Sequence, residues 1–423
     1  MKKEIPDFFS DTTVIDDPRP YFDLIRSQSP VTKEPYQNTL MVTGYDAVME
    51  VLWRSDDTFS SAAAVVGPIP PLPFTPYGED ISEQIEAHRY SLPWGQHLVC
   101  FDGEKHSNFR ALLAGIINPR RVKQNEEYLY GLADGLIDNF IDRDGCEIVS
   151  DFAHAATTYA ISDLLGIPES DRPELLELIG APPSQLEGDA AHKIGPDPLV
   201  FLKPRFEQYL RERQSHPGSD LMSEMVTARL PDGSTPELDD LSRLACFLFG
   251  AGQDTTSRLI TMGVKILAED KALQQRLRRE PDCISRFIEE ILRFDAPVKV
   301  VYRLARRHTS IAGIEVPAGT LVTVCLTAAN NDPTHFDNPQ VFDIDRTNLQ
   351  EQLAFSKGKH TCLGAPLGRL EARVAIERLL ARTADIGIDE QHHGPTASRH
   401  YRYEPTYSFR SLADLHVTFR SNQ

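Results

Sequence analysis

Apolar residues recur along most of the chain at the spacing of helical turns. Over 125–140, Leu129, Leu132, Leu136 and Phe140 fall on one helical face with charged residues between them. A longer stripe runs through Leu244, Phe247, Leu248, Ala251, Thr255, Leu259, Met262 and Ile266. Thr235-Pro236-Glu237 ahead of it reads as N-cap, first-turn proline and early acidic residue, so a long helix is predicted from that point. Leu363, Leu367, Leu370 and Val374 mark another helix. The runs 40–43, 311–316 and 321–325 read as strands, the last two joined by the turn residues Pro317-Ala318-Gly319. The pattern predicts a mainly α fold with small β-sheets. Two stretches break the periodicity, 60–95 with its prolines and aromatics and 181–198 with its prolines, glycines and charges, and loops of this length are expected to be either functional lids or disordered segments.

No repeat, low-complexity tract or linker divides the chain, and 41% apolar content is enough for one large core, so a single domain over 1–423 is expected. Lys and Arg number 44 against 62 Asp and Glu, a formal charge of −18, which excludes a nucleic-acid partner and repels anionic membranes. No run approaches the ~20 apolar residues of a spanning helix, and the first residues carry no signal-peptide pattern, so a cytoplasmic monomer is expected. The six cysteines are scattered without a C-x-x-C pair.

One cysteine stands in a distinctive segment, Phe355-Ser356-Lys357-Gly358-Lys359-His360-Thr361-Cys362-Leu363-Gly364-Ala365-Pro366, a loop that runs into a helix. A cysteine at the N-cap sits among free N–H groups and at the positive end of the helix dipole, which favours its thiolate. Pro366 suits the first turn. Gly358 and Gly364 allow the backbone close to a flat ligand or to the sulfur, and Phe355 can shield the sulfur from water. From this segment alone, a buried cysteine opening an ordinary helix is as good a reading as a metal-bound thiolate.

Within the long helix lies Phe249-Gly250-Ala251-Gly252-Gln253-Asp254-Thr255-Thr256. Each helical glycine costs roughly 1 kcal/mol against alanine, so a close ligand, a widened turn or tight helix packing must retain them. Taken alone, packing is the commoner reason. Asp254 and Thr255 add a carboxylate and a hydroxyl able to relay protons, and Thr255 can bond back to a helix carbonyl. Glu290 and Arg293 share a helix face at i, i+3, ordinarily a surface pair worth ~0–1 kcal/mol.

The spacing Phe-x-x-Gly-x-x-x-Cys-x-Gly, met by Phe355, Gly358, Cys362 and Gly364, resembles the haem-binding signature of cytochromes P450, with Ser356 where many members carry glycine. Ala251-Gly252-x-Asp254-Thr255-Thr256 is similar to that family's oxygen-binding motif, and Glu290-x-x-Arg293 lies in the expected order upstream of the cysteine. Stretches 329–333, 336–339, 409–412 and 415–417 extend the likeness over nearly the whole chain. The resemblance implies a P450 fold and a haem b ligated through Cys362. It implies that Thr255 supports bound dioxygen, that Asp254 helps deliver protons, and that Glu290 and Arg293 form a buried structural pair. His106, Arg110, Arg303 and His360 then match contacts to the two haem propionates, and Ala251 faces the haem.

By family position the substrate pocket draws on Leu92, Trp94, Phe247, Leu248, Ala251, Val298, Val300 and Tyr407. It is mainly apolar and suits a lipophilic terpenoid, steroid or polyketide. Lys299 falls among these positions and either meets a carboxylate or reaches solvent. The implied activity is insertion of one atom of O2 into such a substrate, hydroxylation above all. No flavin or dinucleotide-binding segment is fused to the chain, so electrons are expected from a separate ferredoxin with its NAD(P)H-dependent reductase, docking at Lys357, Lys359 and Arg369. Three alternatives stand beside this reading: a peroxygenase driven by H2O2, a non-catalytic haem-binding or ligand-sensing protein, and a haem-free enzyme with a nucleophilic Cys362.

Overall fold

The computed structural model of the chain describes residues 5–179 and 197–421, and of the predicted loop at 181–198 the part 181–196 lies outside them. Helices dominate. The ones that build the site are α1 (Tyr45–Trp53), α2 (Gly103–Ile116), α3 (Glu126–Asp138), α4 (His154–Leu165), α5 (Lys203–Ser215), α6 (Leu238–Glu269), α7 (Ile284–Phe294) and α8 (Ala365–Arg382). At 1.5 Å per residue, α6 is about 48 Å long and runs through the middle of the core. Its first half packs with α2 and α5 around Phe249, Phe206 and Leu113. Its second half packs with α3, α4, α7 and α8 around Ile260, Val264, Ile291 and Ile376. The reason is legible in α7, where Ile284, Phe287, Ile288, Ile291 and Leu292 repeat at helical spacing and are all buried.

Among the described residues, ten short strands complete the fold: β1 (Val31–Lys33), β2 (Leu40–Val42), β3 (Phe59–Ser60), β4 (Gly145–Glu147), β5 (Val301–Ala305), β6 (Thr309–Ile311), β7 (Ile314–Val316), β8 (Leu321–Val324), β9 (Thr383–Ile388) and β10 (His416–Ser421). One sheet has the order β1-β2-β8-β5-β3, a second β4-β10-β9, and β6 and β7 pair alone. In the first, β2 runs parallel to β8 with Leu40 opposite Val322, and β5 antiparallel with Val301 opposite Val324.

Three boundaries differ from the sequence reading. The run 311–316 is not one strand, because Ala312 and Gly313 adopt left-handed backbone (φ 47° and 78°) and turn it into the β6–β7 hairpin. Consequently β7 does not pair with β8 across Pro317-Ala318-Gly319. Helix α6 starts at Leu238 with Glu237 as its N-cap, three residues beyond the predicted Thr235, which follows a turn closed by Leu230 N–H donating to Ser234 O. Within 60–95, residues Ser82–His88 form a helix.

Candidate active site

Cys362 lies two residues before the N-cap of α8, which is Gly364 rather than the cysteine itself. Its N–H donates to Phe355 O at 2.9 Å, closing the loop. Among the cysteines, Cys362 is exposed, Cys283 is half-buried, and Cys100, Cys146, Cys246 and Cys325 are buried. Although Cys362 is exposed, the surrounding protein desolvates the sulfur and pushes its thiol pKa up. The N–H groups of Gly364 and Ala365 and the cations Arg110 and Arg369 oppose that shift. The expected donors to a thiolate are therefore present, while burial outweighs them in the free thiol.

The loop glycines have reasons of their own. Gly358 sits at φ 74°, where a Cβ would come within 2.6 Å of the Leu52 carbonyl of α1, so contact with α1 requires it rather than a ligand. A Cβ on Gly364 would meet Cys362 Sγ at 3.8 Å, an ordinary contact. Ser356, where the family often has glycine, is held at φ 60°. Phe355 is half-buried and carries the Arg369 guanidinium 4.5 Å above its ring.

The four basic candidates come from separate elements: His106 and Arg110 one turn apart on α2, Arg303 on β5 and His360 in the cysteine loop. His106 and His360 stack with ring centroids 3.8 Å apart. Both reach Asp56, with His360 Nε2 2.7 Å from Oδ1 and His106 Nδ1 3.3 Å from Oδ2. Although burial raises the Asp56 carboxyl pKa, the two histidines hold it below the usual carboxylate range. Burial lowers His360 to about 4 against the pull of Asp56. Arg303 is 3% exposed and bonds only neutral groups, Ser55 Oγ at 3.0 Å and Tyr302 O at 2.7 Å. Arg110 has no hydrogen bond or ion pair among the described residues. Burial lowers the pKa of both arginines.

On α6 the helix continues unbroken through the glycines. Gly252 is explained by packing, because a Cβ there would lie 3.1 Å from the Ile161 side chain of α4. Thr255 Oγ1 donates to Ala251 O at 2.9 Å, as predicted, leaving its lone pairs to accept. Asp254 is turned to Arg258, whose Nε and Nη2 approach Oδ1 at 2.9 and 2.8 Å. Although α6 buries eighteen residues, Ala251 is exposed and Phe247, Leu248 and Thr255 are only half-buried, so one face of a core helix is incompletely covered.

The structure gathers only part of the predicted pocket. Trp94 lies 6.4 Å from the Phe247 ring, and Val298 is half-buried and bridged to Phe409, a residue the sequence reading did not single out. Leu92 instead packs with Ile81, Ile85 and Leu304. Val300 and Tyr407 belong to a core cluster with Phe9 and Tyr302, and the Tyr407 hydroxyl reaches Ile69 O at 3.3 Å. Lys299 is 1% exposed and neither reaches solvent nor meets a carboxylate. Its Nζ donates to Thr406 O at 2.8 Å, and burial holds its pKa well below the usual value. Arg369, expected in a docking surface, is committed to Glu289, with Nη2 3.1 Å from Oε2.

Behind the loop, Glu290 and Arg293 are both 0% exposed and joined by two bonds of 2.7 and 2.8 Å. Arg346, unsuspected from the sequence, adds Nε at 3.2 Å from Glu290 Oε1.

A model of the cytochrome P450 family matches residues 189–383. The biotin biosynthesis cytochrome P450 of Bacillus subtilis is 30% identical over 407 residues, covering 95% of this chain and 96% of its own. The chain belongs to the cytochrome P450 family. Mycobacterium marinum cytochrome P450 CYP150A6, solved substrate-free, superposes with a TM-score of 0.92 at 43% identity over 99% of each chain. P450BioI, solved with hexadec-9Z-enoic acid ligated to acyl carrier protein, gives a TM-score of 0.82 at 27% identity over 96% of this chain and 99% of its own. The fold is thus the P450 fold and the enzyme a P450 monooxygenase. The haem-free and non-catalytic alternatives fall with that assignment. Among the described residues no helix is long and apolar enough to cross a membrane.

The family implies a thiolate-ligated haem, and the residues of this P450 fit one. An exposed sulfur lies within electrostatic reach of Arg110. Two arginines without carboxylate partners and two buried histidines suit a dianionic edge. A flat group would also cover the Ala251 and Thr255 face of α6.

Beneath that face, this P450 buries Glu371 of α8 at 6% exposure against the Thr256 hydroxyl, and burial pushes its carboxyl up to about 8. Between the ordinary value of 4.5 and about 8 the unfolded chain ionises while the folded one stays protonated, so stability falls as pH rises through that window. By linkage the loss reaches up to about 4–5 kcal/mol. Glu371→Gln should remove it, and urea titrations at pH 5 and pH 8 should give wild-type midpoints that drop and variant midpoints that coincide.

Proposed function

We propose that this P450 works as a single domain over 1–423 in the cytoplasm and hydroxylates a lipophilic small molecule with electrons from a separate ferredoxin and its NAD(P)H-dependent reductase. The observation that carries the reading is the stripe Phe247, Leu248, Ala251 and Thr255, incompletely covered in the middle of a helix that runs through the core, which offers apolar contact beside a hydroxyl and the Asp254 carboxylate. Haem bound at Cys362 would supply the activation of dioxygen. The chain's own part is to hold the group through Cys362, Arg110, Arg303, His106 and His360, to keep water from it, and to pass protons by way of Asp254 and Thr255. Thr255 holds its hydroxyl through the bond to Ala251 O and so presents its lone pairs to the open face. Two relatives support the reading. P450BioI, which carries a fatty acyl group in its complex, supports the substrate class, and HmtN, a post-tailoring hydroxylase of himastatin biosynthesis at 26% identity and a TM-score of 0.78, supports hydroxylation. With Arg369 tied to Glu289, the exposed Lys359 and half-buried Lys357 are the cations left to meet an acidic carrier.

The test is turnover with a surrogate ferredoxin and reductase in parallel with H2O2 alone. Ferredoxin-driven product well above the peroxide-driven amount supports the reading, and the reverse would make the enzyme a peroxygenase. Thr255→Ala should raise the share of electrons released as peroxide at least about tenfold, since a positioned proton-transfer group typically contributes about 10²–10⁴-fold to the step it serves. Unchanged coupling in that variant removes Thr255 from the proton path.

A further inference from the structure

Asp254 does not stand alone. Its partner Arg258, one turn along α6, has a side chain only 3% exposed, and its Nη1 lies 3.0 Å from Glu404 Oε2. Glu404 comes from the far end of the chain, where segment 403–412 folds back on itself with Tyr403 bridged to Leu412 and Glu404 N–H donating to Ser411 O at 2.9 Å. The same guanidinium lies 5.2 Å from the Phe409 ring, and Phe409 is bridged to Val298. One buried cation is therefore shared between a carboxylate on the central helix and a carboxylate on the last segment of the chain. His154 at the start of α4 feels Asp254, Glu404, Arg258 and Glu147, and Lys299 feels Arg258, Arg410 and Asp295, which completes the charged surroundings.

We propose that Arg258 and Glu404 are a positioning pair for proton delivery, in which Glu404 draws off part of Arg258's hold on Asp254 and so sets how readily Asp254 exchanges its ion pair for a proton. The inference rests on the reading of Asp254 as the proton donor. A carboxylate clamped by a desolvated guanidinium favours its ionised form and carries protons poorly. A second carboxylate on the same cation divides the guanidinium's hold between the two and weakens that clamp. The cycle balances simply: Asp254, 27% exposed at its side chain, leaves Arg258, takes a proton from solvent, gives it up on the Thr255 side and returns to Arg258 as the carboxylate.

The experiment needs no organic substrate. Haem-loaded wild type, Glu404→Gln, Arg258→Lys and Asp254→Asn are supplied with a surrogate ferredoxin, reductase and NAD(P)H. The dioxygen consumed is partitioned into peroxide, which takes two electrons and two protons, and water, which takes four of each, across pH 6–9. Glu404→Gln leaves Arg258 undivided on Asp254, so the peroxide share rises about threefold and the pH limb of water formation moves down by about half a unit to one unit. Arg258→Lys loses the fork, so the limb moves up by a similar amount. Opposite displacements are expected, whereas a structural defect moves both variants the same way. The same direction in both, or limbs that match wild type while Asp254→Asn differs, overturns the positioning role and leaves Asp254 as donor. An Asp254→Asn protein indistinguishable from wild type overturns the donor reading and this inference together. Glu404→Gln keeps shape and hydrogen-bonding capacity, so the test survives if Arg258→Lys fails to fold.

Discussion

Serine in place of Cys362 is expected to give a folded protein whose dithionite-reduced carbon monoxide complex lacks the strongly red-shifted Soret band and whose turnover falls at least about 1,000-fold, on the order of 4 kcal/mol in barrier. Folding should survive because the loop is closed by backbone, Cys362 N–H to Phe355 O, and because Gly364 and Ala365 can donate to a serine oxygen as they do to sulfur. No other cysteine is placed to substitute. Burial raises the thiol pKa of Cys100, Cys146, Cys246 and Cys325, each without a loop of converging N–H donors, and Cys283 sits beside Glu280 on the far side of α7's start. A red-shifted band retained in Cys362→Ser would assign the iron to another ligand.

How much of this was legible in the sequence depends on how local each feature is. The cysteine loop, the Asp254-Thr255 step and the Glu290-x-x-Arg293 pair are contiguous, so spacing alone placed them on the right elements. The helical content was legible for the same reason, since core stripes such as Ile284, Phe287, Ile288 and Ile291 repeat within a few residues. Errors arose where backbone geometry overrides residue preference. Ala312 in left-handed conformation breaks a run of β-formers into a hairpin, and nothing in the alanine signals it. Thr235 and Pro236 imitate a helix start, yet the turn at Leu230 to Ser234 delays α6 to Leu238.

Partners distant in sequence were not legible. Asp56 meets His360 across 304 residues, and Arg346 meets Glu290 across 56, because sheets and helix packing bring them together rather than any periodicity. Glu404 and Phe409 reach α6 in the same way. The pocket shows the converse limit: Leu92, Val300 and Tyr407 have the right residue types, but neighbouring core clusters cover them, and burial of that kind is set by tertiary packing.

Removal of Glu290 is expected to cost about 3–5 kcal/mol, a large share of the roughly 5–15 kcal/mol by which proteins are stable, because Arg293 and Arg346 would then be buried with no carboxylate between them. Arg293 also donates from Nη1 to Asn330 O at 3.0 Å and from Nη2 to Val341 O at 3.3 Å, and Glu290 accepts from Asp343 N–H at 2.9 Å, so the pair ties α7 to two loop segments at once. Asn330 carries the connection onward, since its Oδ1 accepts from Leu353 N–H at 2.7 Å, two residues before Phe355. A defect at Glu290 should therefore loosen the cysteine loop as well as the core. Arg293→Lys keeps the charge but loses the fork, so it should cost about 2–3 kcal/mol and recover part of the haem that Glu290→Ala fails to retain. Urea denaturation of the holoprotein with haem content read at each midpoint checks both. If Glu290→Ala denatured within about 1 kcal/mol of wild type, the pair would be no more than the exposed kind its spacing first suggested.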